Sequence, residues 1–278
     1  MKSLVAAGLG LVLGGAALLG AIQGLTEFLP VSSSGHLVLF QQFFPIGENH
    51  VLFDLVLHLG TLIPVLWFYR SQVLELVRDP IVGTGPFFQR PGVRMLLLIG
   101  VATVPTGLIG VVFKDVFEAL FATPAILTIP FAVTGTILFA TRFAKQGSIE
   151  LETMPIWLAA VLGLAQGLAI TPGISRSGTT IAVALLFGMK RDFAARFSFL
   201  MSVPAISGAV LLKLGDAELA HLDLPSLGVG FVSSMIVGYA ALVFLVQLVR
   251  RGGLPWFAPY CWFIAVVSGG ITIWQAVG

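Results

Sequence analysis

The stretch QGLTEFLPVSSSGH, residues 23–36, interrupts an apolar and glycine-rich region of the sequence. It places a carboxylate, three adjacent hydroxyl groups, a glycine and an imidazole within fourteen residues. A second stretch, QGLAITPGISRSGTT at residues 166–180, matches it at a constant shift of 143 positions. The identical pairs are Gln23 with Gln166, Gly24 with Gly167, Leu25 with Leu168, Ser32 with Ser175, Ser34 with Ser177 and Gly35 with Gly178. We therefore expect two related segments, which the remainder of the chain brings together.

The composition is that of an integral membrane protein. Of the 278 residues, 57% are apolar and 10% are charged, whereas soluble proteins contain about 25% charged residues. The expected surroundings are therefore a lipid bilayer, and we expect no nucleic acid as a partner. The single cysteine, Cys261, cannot form a disulfide within the chain. The apolar beginning of the chain continues into the first motif without a clear cleavage site, so we interpret it as a retained segment and not as a signal peptide.

Six apolar segments have the length of a membrane span, which is about twenty residues. They lie at residues 51–69, 93–113, 121–141, 197–214, 227–249 and 257–277. The regions that carry the two motifs, 4–44 and 155–189, are instead broken near their middle by Pro, Gly and Ser. Only about ten apolar residues follow Ser34 or Ser177, which is too few to cross a bilayer. Each motif region is therefore predicted to form a re-entrant helical hairpin whose polar tip is buried within the protein.

One hairpin followed by three spans makes up each half of the chain. Because three is an odd number, the second half must be inverted relative to the first, as in proteins whose broken helices hold a site near the membrane midplane. The predicted fold is a single all-α membrane domain, residues 1–278, made of two inverted repeats of about 1–145 and 146–278.

The basic residues of the loops predict the orientation. We assume that each hairpin returns to the side of the membrane from which it enters. Eleven of the fifteen Lys and Arg residues then lie on one side of the membrane and three on the other, while Arg176 lies within a motif. The eleven are Arg70, Arg78, Arg90, Arg94, Arg142, Lys145, Lys190, Arg191, Arg196, Arg250 and Arg251. Since cytoplasmic loops are enriched in basic residues, this side is expected to be cytoplasmic and both termini are expected outside.

Arg176 is the charged residue of the second motif and needs an anionic partner, because an unpaired guanidinium in an apolar region costs several kcal/mol. Its partner is either Glu27, in a structural ion pair, or a phosphate. The density of nearby hydroxyl donors favours phosphate, since four such residues are close by: Ser175, Ser177, Thr179 and Thr180. A short helix, expected to begin near Gly178, would add backbone N–H donors.

The first motif supplies reactive groups. Glu27 is a candidate ligand of a divalent cation or a candidate base, and Gln23 lies one helical turn before it on the same face. Ser33 is a candidate nucleophile, and His36, three residues later and expected on the same helix face, is a candidate proton carrier that would activate it. The alternative is that the serines cap a helix starting at Ser34 or Gly35, which explains one serine but not the whole set.

Two other polar residues lie in a predicted span. Asp54 and His58 are four residues apart near its start. We interpret them as a local hydrogen bond at the membrane interface.

These two motifs closely resemble the signatures of the undecaprenyl-diphosphate phosphatase family, bacterial membrane proteins linked to bacitracin resistance. Gln23 and Glu27 match the first signature, and residues 172–177 with Thr180 match the second. The resemblance implies hydrolysis of a C55 isoprenoid diphosphate to its monophosphate, in the bacterial plasma membrane, with a cation such as Mg²⁺ or Ca²⁺. This reaction recycles the lipid carrier of cell-wall synthesis.

The expected site lies between the hairpin tips and opens to the outer face. Ser175, Arg176, Ser177 and Thr180 would hold the diphosphate, while Glu27 and Gln23 hold the metal ion. The catalytic candidates are Glu27, Ser33, His36 and Arg176. Attack comes either from Ser33 or from water activated by His36 or Glu27. The rival function is a lipid-phosphate transporter, because many transporters are also built from inverted repeats. A homodimer is an alternative to a monomer.

Overall fold

The computed structural model describes residues 2–41, 50–214 and 223–277, and within these ranges the chain forms twelve α-helices. The helices are α1 Lys2–Phe28, α2 Ser33–Phe40, α3 His50–Phe68, α4 Arg70–Val82, α5 Pro91–Val112, α6 Lys114–Phe121, α7 Thr128–Ala140, α8 Ile156–Leu168, α9 Arg176–Leu186, α10 Arg191–Leu214, α11 Leu224–Arg250 and α12 Ala258–Val277. No β-strand longer than an isolated bridge occurs in these ranges. The predicted all-α fold is confirmed.

The membrane spans lie where the sequence predicts them. In the described ranges five helical stretches are long and apolar enough to cross a bilayer, and they include α5, α7, α10, α11 and α12. A sixth span is counted if α3 and α4 are taken together, although the chain bends by 77° between them at Tyr69. The protein is therefore a multi-pass membrane protein.

Two helices lie where the sequence analysis expected loops. Helix α4 is polar and follows the bend after α3, and its Asp79 carboxylate accepts a hydrogen bond from the backbone N–H of Gly92 at 2.7 Å. This bond fixes α4 against the start of α5. Helix α6 is short and carries an ion pair between Lys114 and Glu118 at 3.9 Å. Neither helix is apolar enough to be detected by a search for membrane spans.

Each motif region consists of a longer helix, a turn and a short helix. Pro30 stops α1 shortly before α2, and Pro172 with Gly173 separates α8 from α9. Helix α2 has eight residues and α9 has eleven, so each is about 12–17 Å long against a hydrocarbon core of about 30 Å. These lengths agree with hairpins that do not cross the membrane, and re-entry itself stays a prediction.

The hairpins pack on the opposite half of the chain through pairs of glycines. Helix α1 packs on α11, and α8 packs on α5. Gly20 and Gly24 in α1, and Gly163 and Gly167 in α8, have the small-xxx-small spacing that lets membrane helices approach closely. A Cβ atom on Gly20 would collide with the carbonyl oxygen of Gly230, and a Cβ atom on Gly163 would collide with that of Ala102. Gly20 and Gly163 are related by the 143-residue shift.

The close approach at Gly20 is tested by a single methyl group. Gly20→Ala is expected to lower the thermal midpoint of the protein in detergent, because the methyl group meets rigid backbone of α11. Gly14→Ala on the same helix is the control, since a Cβ atom there has no heavy atom within 4 Å. The control is expected to be neutral, or to stabilise by about 0.5–1 kcal/mol through helix propensity. Equal midpoints for the two variants would contradict the packing described.

Candidate active site

The two short helices begin with the same serine cap. Ser32 accepts a hydrogen bond from the backbone N–H of Gly35 at 3.3 Å, and Ser175 accepts one from that of Gly178 at 3.1 Å. The two caps are related by the 143-residue shift. Each helix starts slightly earlier than the sequence analysis expected, at Ser33 and at Arg176, because the preceding serine supplies the cap.

The tips of the two hairpins lie in direct contact. The hydroxyl oxygen of Ser32 also accepts a hydrogen bond from the backbone N–H of Gly173 at 3.1 Å. In the other direction, Ser177 donates its hydroxyl to the carbonyl oxygen of Phe28 at 3.1 Å. The side chain of Thr134, from α7, donates to the carbonyl of Gly173 at 2.9 Å and accepts from the N–H of Ser175 at 3.1 Å. The two motifs are therefore joined at their turns, as the sequence predicts.

Glu27 lies at the centre of the polar cluster between the tips. One of its carboxylate oxygens, Oε1, forms an ion pair with the guanidinium of Arg176. The other, Oε2, accepts hydrogen bonds from the Ser33 hydroxyl at 2.5 Å and from the Gln23 amide at 3.0 Å. The Glu27 side chain is only 6% exposed. Three of the predicted site residues, from both motifs, thus converge on the buried carboxylate of a fourth.

The Ser33 hydroxyl points at Glu27 and not at His36. The Nδ1 atom of His36 lies 2.8 Å from the carbonyl oxygen of Ser32, and its Nε2 atom lies 2.7 Å from the hydroxyl of Tyr260. Both ring nitrogens therefore have other partners. The predicted pairing of Ser33 with His36 is therefore not formed, and the carboxylate of Glu27 is instead placed to accept the Ser33 proton.

The remaining hydroxyls of the second motif bind backbone groups. Ser175 caps α9 and Ser177 bonds to Phe28, while Thr180 donates to the carbonyl of Arg176 at 2.9 Å. All three side chains are buried. They hold the segment that presents Arg176. Because α9 begins at Arg176, its first N–H groups, which lack intrahelical acceptors, lie at the same turn.

Two residues near the site were not predicted from the sequence, and they lie on helices that are distant from the motifs in the chain. His58, on α3, places its Nε2 atom 3.7 Å from Oε2 of Glu27. The local hydrogen bond predicted for it is present, because its Nδ1 atom lies 2.7 Å from the backbone carbonyl of Asp54. Tyr260, on α12, contacts His36. The only signal for either was a polar side chain within an apolar span, which is too common to select a site residue.

The fit of a divalent cation can be judged from the oxygen atoms present. Within the described ranges, no three His, Cys, Asp or Glu side chains converge to hold a metal ion. The Oε1 atom of Gln23 is nevertheless buried without a hydrogen-bond partner, beside Glu27. Mg²⁺ in proteins is commonly held by one or two carboxylates together with substrate phosphates. Gln23 and Glu27 therefore fit a cation whose coordination the substrate completes.

Comparison with known proteins identifies the family of this chain. The family model described as bacitracin resistance protein BacA matches residues 16–267. A protein of Carboxydothermus hydrogenoformans named undecaprenyl-diphosphatase is 46% identical over 268 residues, which cover 95% of this chain and 97% of the relative. Proteins of the same name from Desulfatibacillum aliphaticivorans and Methanobrevibacter smithii are 45% and 38% identical, over 89% and 92% of this chain and 94% and 97% of theirs.

These matches confirm the family predicted from the two motifs. They extend over both hairpins and nearly all of the helices that pack around them. The chain belongs to the bacitracin resistance protein BacA family.

Proposed function

We propose that this protein is a membrane phosphatase that hydrolyses undecaprenyl diphosphate to undecaprenyl phosphate and inorganic phosphate. The observation that carries the proposal is the buried cluster in which a hydroxyl from one motif and a guanidinium from the other both bind Glu27. The names of the relatives, undecaprenyl-diphosphatase, support the choice of substrate.

Substrate binding is assigned to the second motif. One N–H group of Arg176 binds Glu27, and a guanidinium has five such donors in a planar fork that suits phosphate. The N-terminal N–H groups of α9 lie at the same tip and favour an anion. Ser175, Ser177 and Thr180 keep this segment in place through the hydrogen bonds described above. The diphosphate would therefore lie between the tips, with its terminal phosphate close to Ser33.

The chemistry is assigned to the first motif and proceeds in two steps. The Ser33 oxygen attacks the terminal phosphorus while Glu27 takes the hydroxyl proton, and the bond from that phosphorus to the bridging oxygen breaks to release undecaprenyl phosphate. Water then attacks the phosphorus of the phosphoserine, and the bond from that phosphorus to the Ser33 oxygen breaks. Glu27 returns the proton to the Ser33 oxygen as inorganic phosphate leaves. Arg176 offsets the negative charge that the phosphate oxygens carry in both steps.

A divalent cation, Mg²⁺ or Ca²⁺, is assigned to Gln23 and Glu27, where it would neutralise charge on the phosphate oxygens. Glu27 and Arg176 carry opposite charges and are close together. A cation alone would add uncompensated positive charge to a buried site, which is costly. The substrate diphosphate supplies the compensating negative charge, so we expect the cation and the substrate to bind together.

The test is phosphate release by the purified protein from a C55 prenyl diphosphate in detergent. We expect release that requires added Mg²⁺ or Ca²⁺ and stops when EDTA is added. A lipid-phosphate transporter would release no phosphate, since detergent offers no second compartment, and that result would overturn the proposal. Neither the names of the relatives given above nor a contact in the part of the chain that the structure describes favours the transporter. The mass of the same detergent particle by light scattering distinguishes the homodimer alternative from a monomer.

The orientation is part of the proposal and rests on the asymmetry of the loop charges. We propose that the protein lies in the bacterial plasma membrane with both termini outside, and that its site opens to the outer face. The two repeats of about 1–145 and 146–278 would then be inverted. The reciprocal packing of α1 on α11 and of α8 on α5 supports this arrangement.

Cysteine labelling measures the orientation directly. In a chain with Cys261 replaced by alanine, Glu118→Cys on α6 should react with an impermeant thiol reagent added to intact cells. Glu152→Cys, between α7 and α8, should react only after the cells are permeabilised. Both positions are exposed, so the difference reports the side of the membrane. Labelling at position 152 in intact cells would contradict the arrangement.

A further inference from the structure

The two ring nitrogens of His36 have different partners. A carbonyl oxygen can only accept a hydrogen bond, so the Nδ1 atom that lies 2.8 Å from the Ser32 carbonyl must carry a proton. In the neutral imidazole the Nε2 atom is then an acceptor, and the Tyr260 hydroxyl, 2.7 Å away, donates to it. Tyr260 and the Ser32 carbonyl together select one tautomer and one ring orientation.

Aromatic contacts support the same orientation of His36. The rings of His36 and Tyr260 are nearly parallel, with an angle of 5° and centroids 5.8 Å apart. Phe131 meets the imidazole edge-on, with centroids 5.4 Å apart. His36 is buried, whereas Tyr260 is 42% exposed. The Tyr260 hydroxyl and the Ser32 carbonyl are thus polar contacts of an imidazole that also packs against aromatic rings.

The bond from His36 acts on a strained part of the backbone. Ser32 has a φ angle of 68°, the only positive value among non-glycine residues in the part of the chain that the structure describes. Such a conformation is unfavourable for an L-residue and persists only where its surroundings hold it. The Ser32 carbonyl is held by the Nδ1 atom and the backbone N–H of His36, at 2.8 and 3.2 Å. This carbonyl belongs to the peptide bond that leads into Ser33.

We propose that Tyr260 is a positioning residue for the reaction, which acts through His36 to hold the Ser32–Ser33 peptide so that the Ser33 hydroxyl faces Glu27. The inference rests on the proposed function. It assigns to α12, the last helix of the chain, a part in completing a site whose reactive groups come from the first and second motifs. It also assigns His36 a structural task at the nucleophile, since both of its ring nitrogens are engaged.

The first test is Tyr260→Phe, which keeps the ring and removes only the hydroxyl. We expect kcat to fall about tenfold, the effect of one hydrogen bond. KM should stay within about twofold, because the proposed binding of the diphosphate uses Arg176 and the start of α9 and not Tyr260. Tyr239→Phe on α11 is the matched control, since Tyr239 is 41% exposed, and it should leave kcat unchanged. An unchanged kcat for Tyr260→Phe, or a rise in KM alone, would overturn the proposal.

A double-mutant cycle separates action through His36 from a direct effect. The Nδ2 atom of asparagine can replace the Nδ1 atom of histidine, so His36→Asn retains the bond to Ser32 and loses the atom that faces Tyr260. In that background Tyr260→Phe should change kcat by less than about twofold, because the partner is already absent. The same tenfold loss in both backgrounds would show that Tyr260 acts elsewhere.

Failure of this inference can be distinguished from failure of the proposed function. Phosphate release by the unmodified protein tests the activity itself, while the two ratios of kcat test only the link between Tyr260 and His36. The thermal midpoint of Tyr260→Phe in detergent should equal that of the unmodified protein. A lowered midpoint that accounts for the lost activity would assign Tyr260 to folding and overturn the inference.

Discussion

Ser33→Ala is expected to abolish the phosphoenzyme and to lower turnover by several orders of magnitude. In the structure the Ser33 hydroxyl is bonded to the carboxylate of Glu27, and removing it removes the nucleophile itself. Glu27→Gln keeps the shape of the side chain but cannot accept the proton. It should lower turnover by a factor of about 10²–10⁴, the usual contribution of a general base.

The measurement is rapid quenching with a substrate labelled with ³²P in its terminal phosphate. The unmodified protein should carry label within the first turnover, and Ser33→Ala should carry none. Ser34→Ala is the control, because the Ser34 hydroxyl lies 3.3 Å from that of Ser32 and is not bonded to Glu27. If the unmodified protein carries no label and Ser33→Ala loses only about tenfold, the worth of one hydrogen bond, the nucleophile is water.

Arg176→Ala is expected to remove nearly all activity, and Arg176→Lys is expected to lose much of it although the charge is kept. Lysine lacks the planar fork that binds phosphate in a bidentate manner. Arg176→Ala also leaves the buried carboxylate of Glu27 without its cation, which commonly costs about 3–5 kcal/mol of stability. Loss of activity in this variant alone therefore does not separate catalysis from folding.

The double variant Arg176→Met with Glu27→Gln separates the two roles. It replaces the ion pair with neutral side chains of similar size, so the thermal midpoint should return towards that of the unmodified protein. Phosphate release should stay absent, because both the anion-binding group and the base are missing. Restored turnover in this variant would mean that the ion pair is purely structural, against the assignment made here.

The local features of the fold could be predicted from the sequence because they depend on neighbouring residues. The length of an apolar run decides whether it crosses a bilayer, and all six predicted spans lie on helices of the structure. Serine capping likewise depends on residues within three positions, as at Ser32 and Ser175. The match of two motifs at a constant shift also indicated that the hairpin tips meet. Helices α4 and α6 were not predicted, because no apolar run of spanning length marks them in the sequence.

The partners of the site residues were decided by the tertiary structure. Sequence spacing placed Ser33 and His36 three residues apart on one helix and suggested a pair. The turn at Ser32, with its positive φ, instead directs the Ser33 hydroxyl to Glu27 on the preceding helix, while His36 reaches Tyr260, which is 224 residues away in the chain. His58 approaches Glu27 only because α3 packs beside α1.

By itself, the sequence determined the class of protein, its spans, its two motifs and the family whose chemistry they share. It determined these because hydrophobic length, capping and a long specific motif are properties of contiguous residues. Only the tertiary structure decided which base faces the nucleophile and which residues from α3 and α12 join the site. Those contacts depend on the angle at which helices distant in the chain approach one another. Close-packed glycines such as Gly20 and Gly163 allow that approach between α1 and α11 and between α8 and α5.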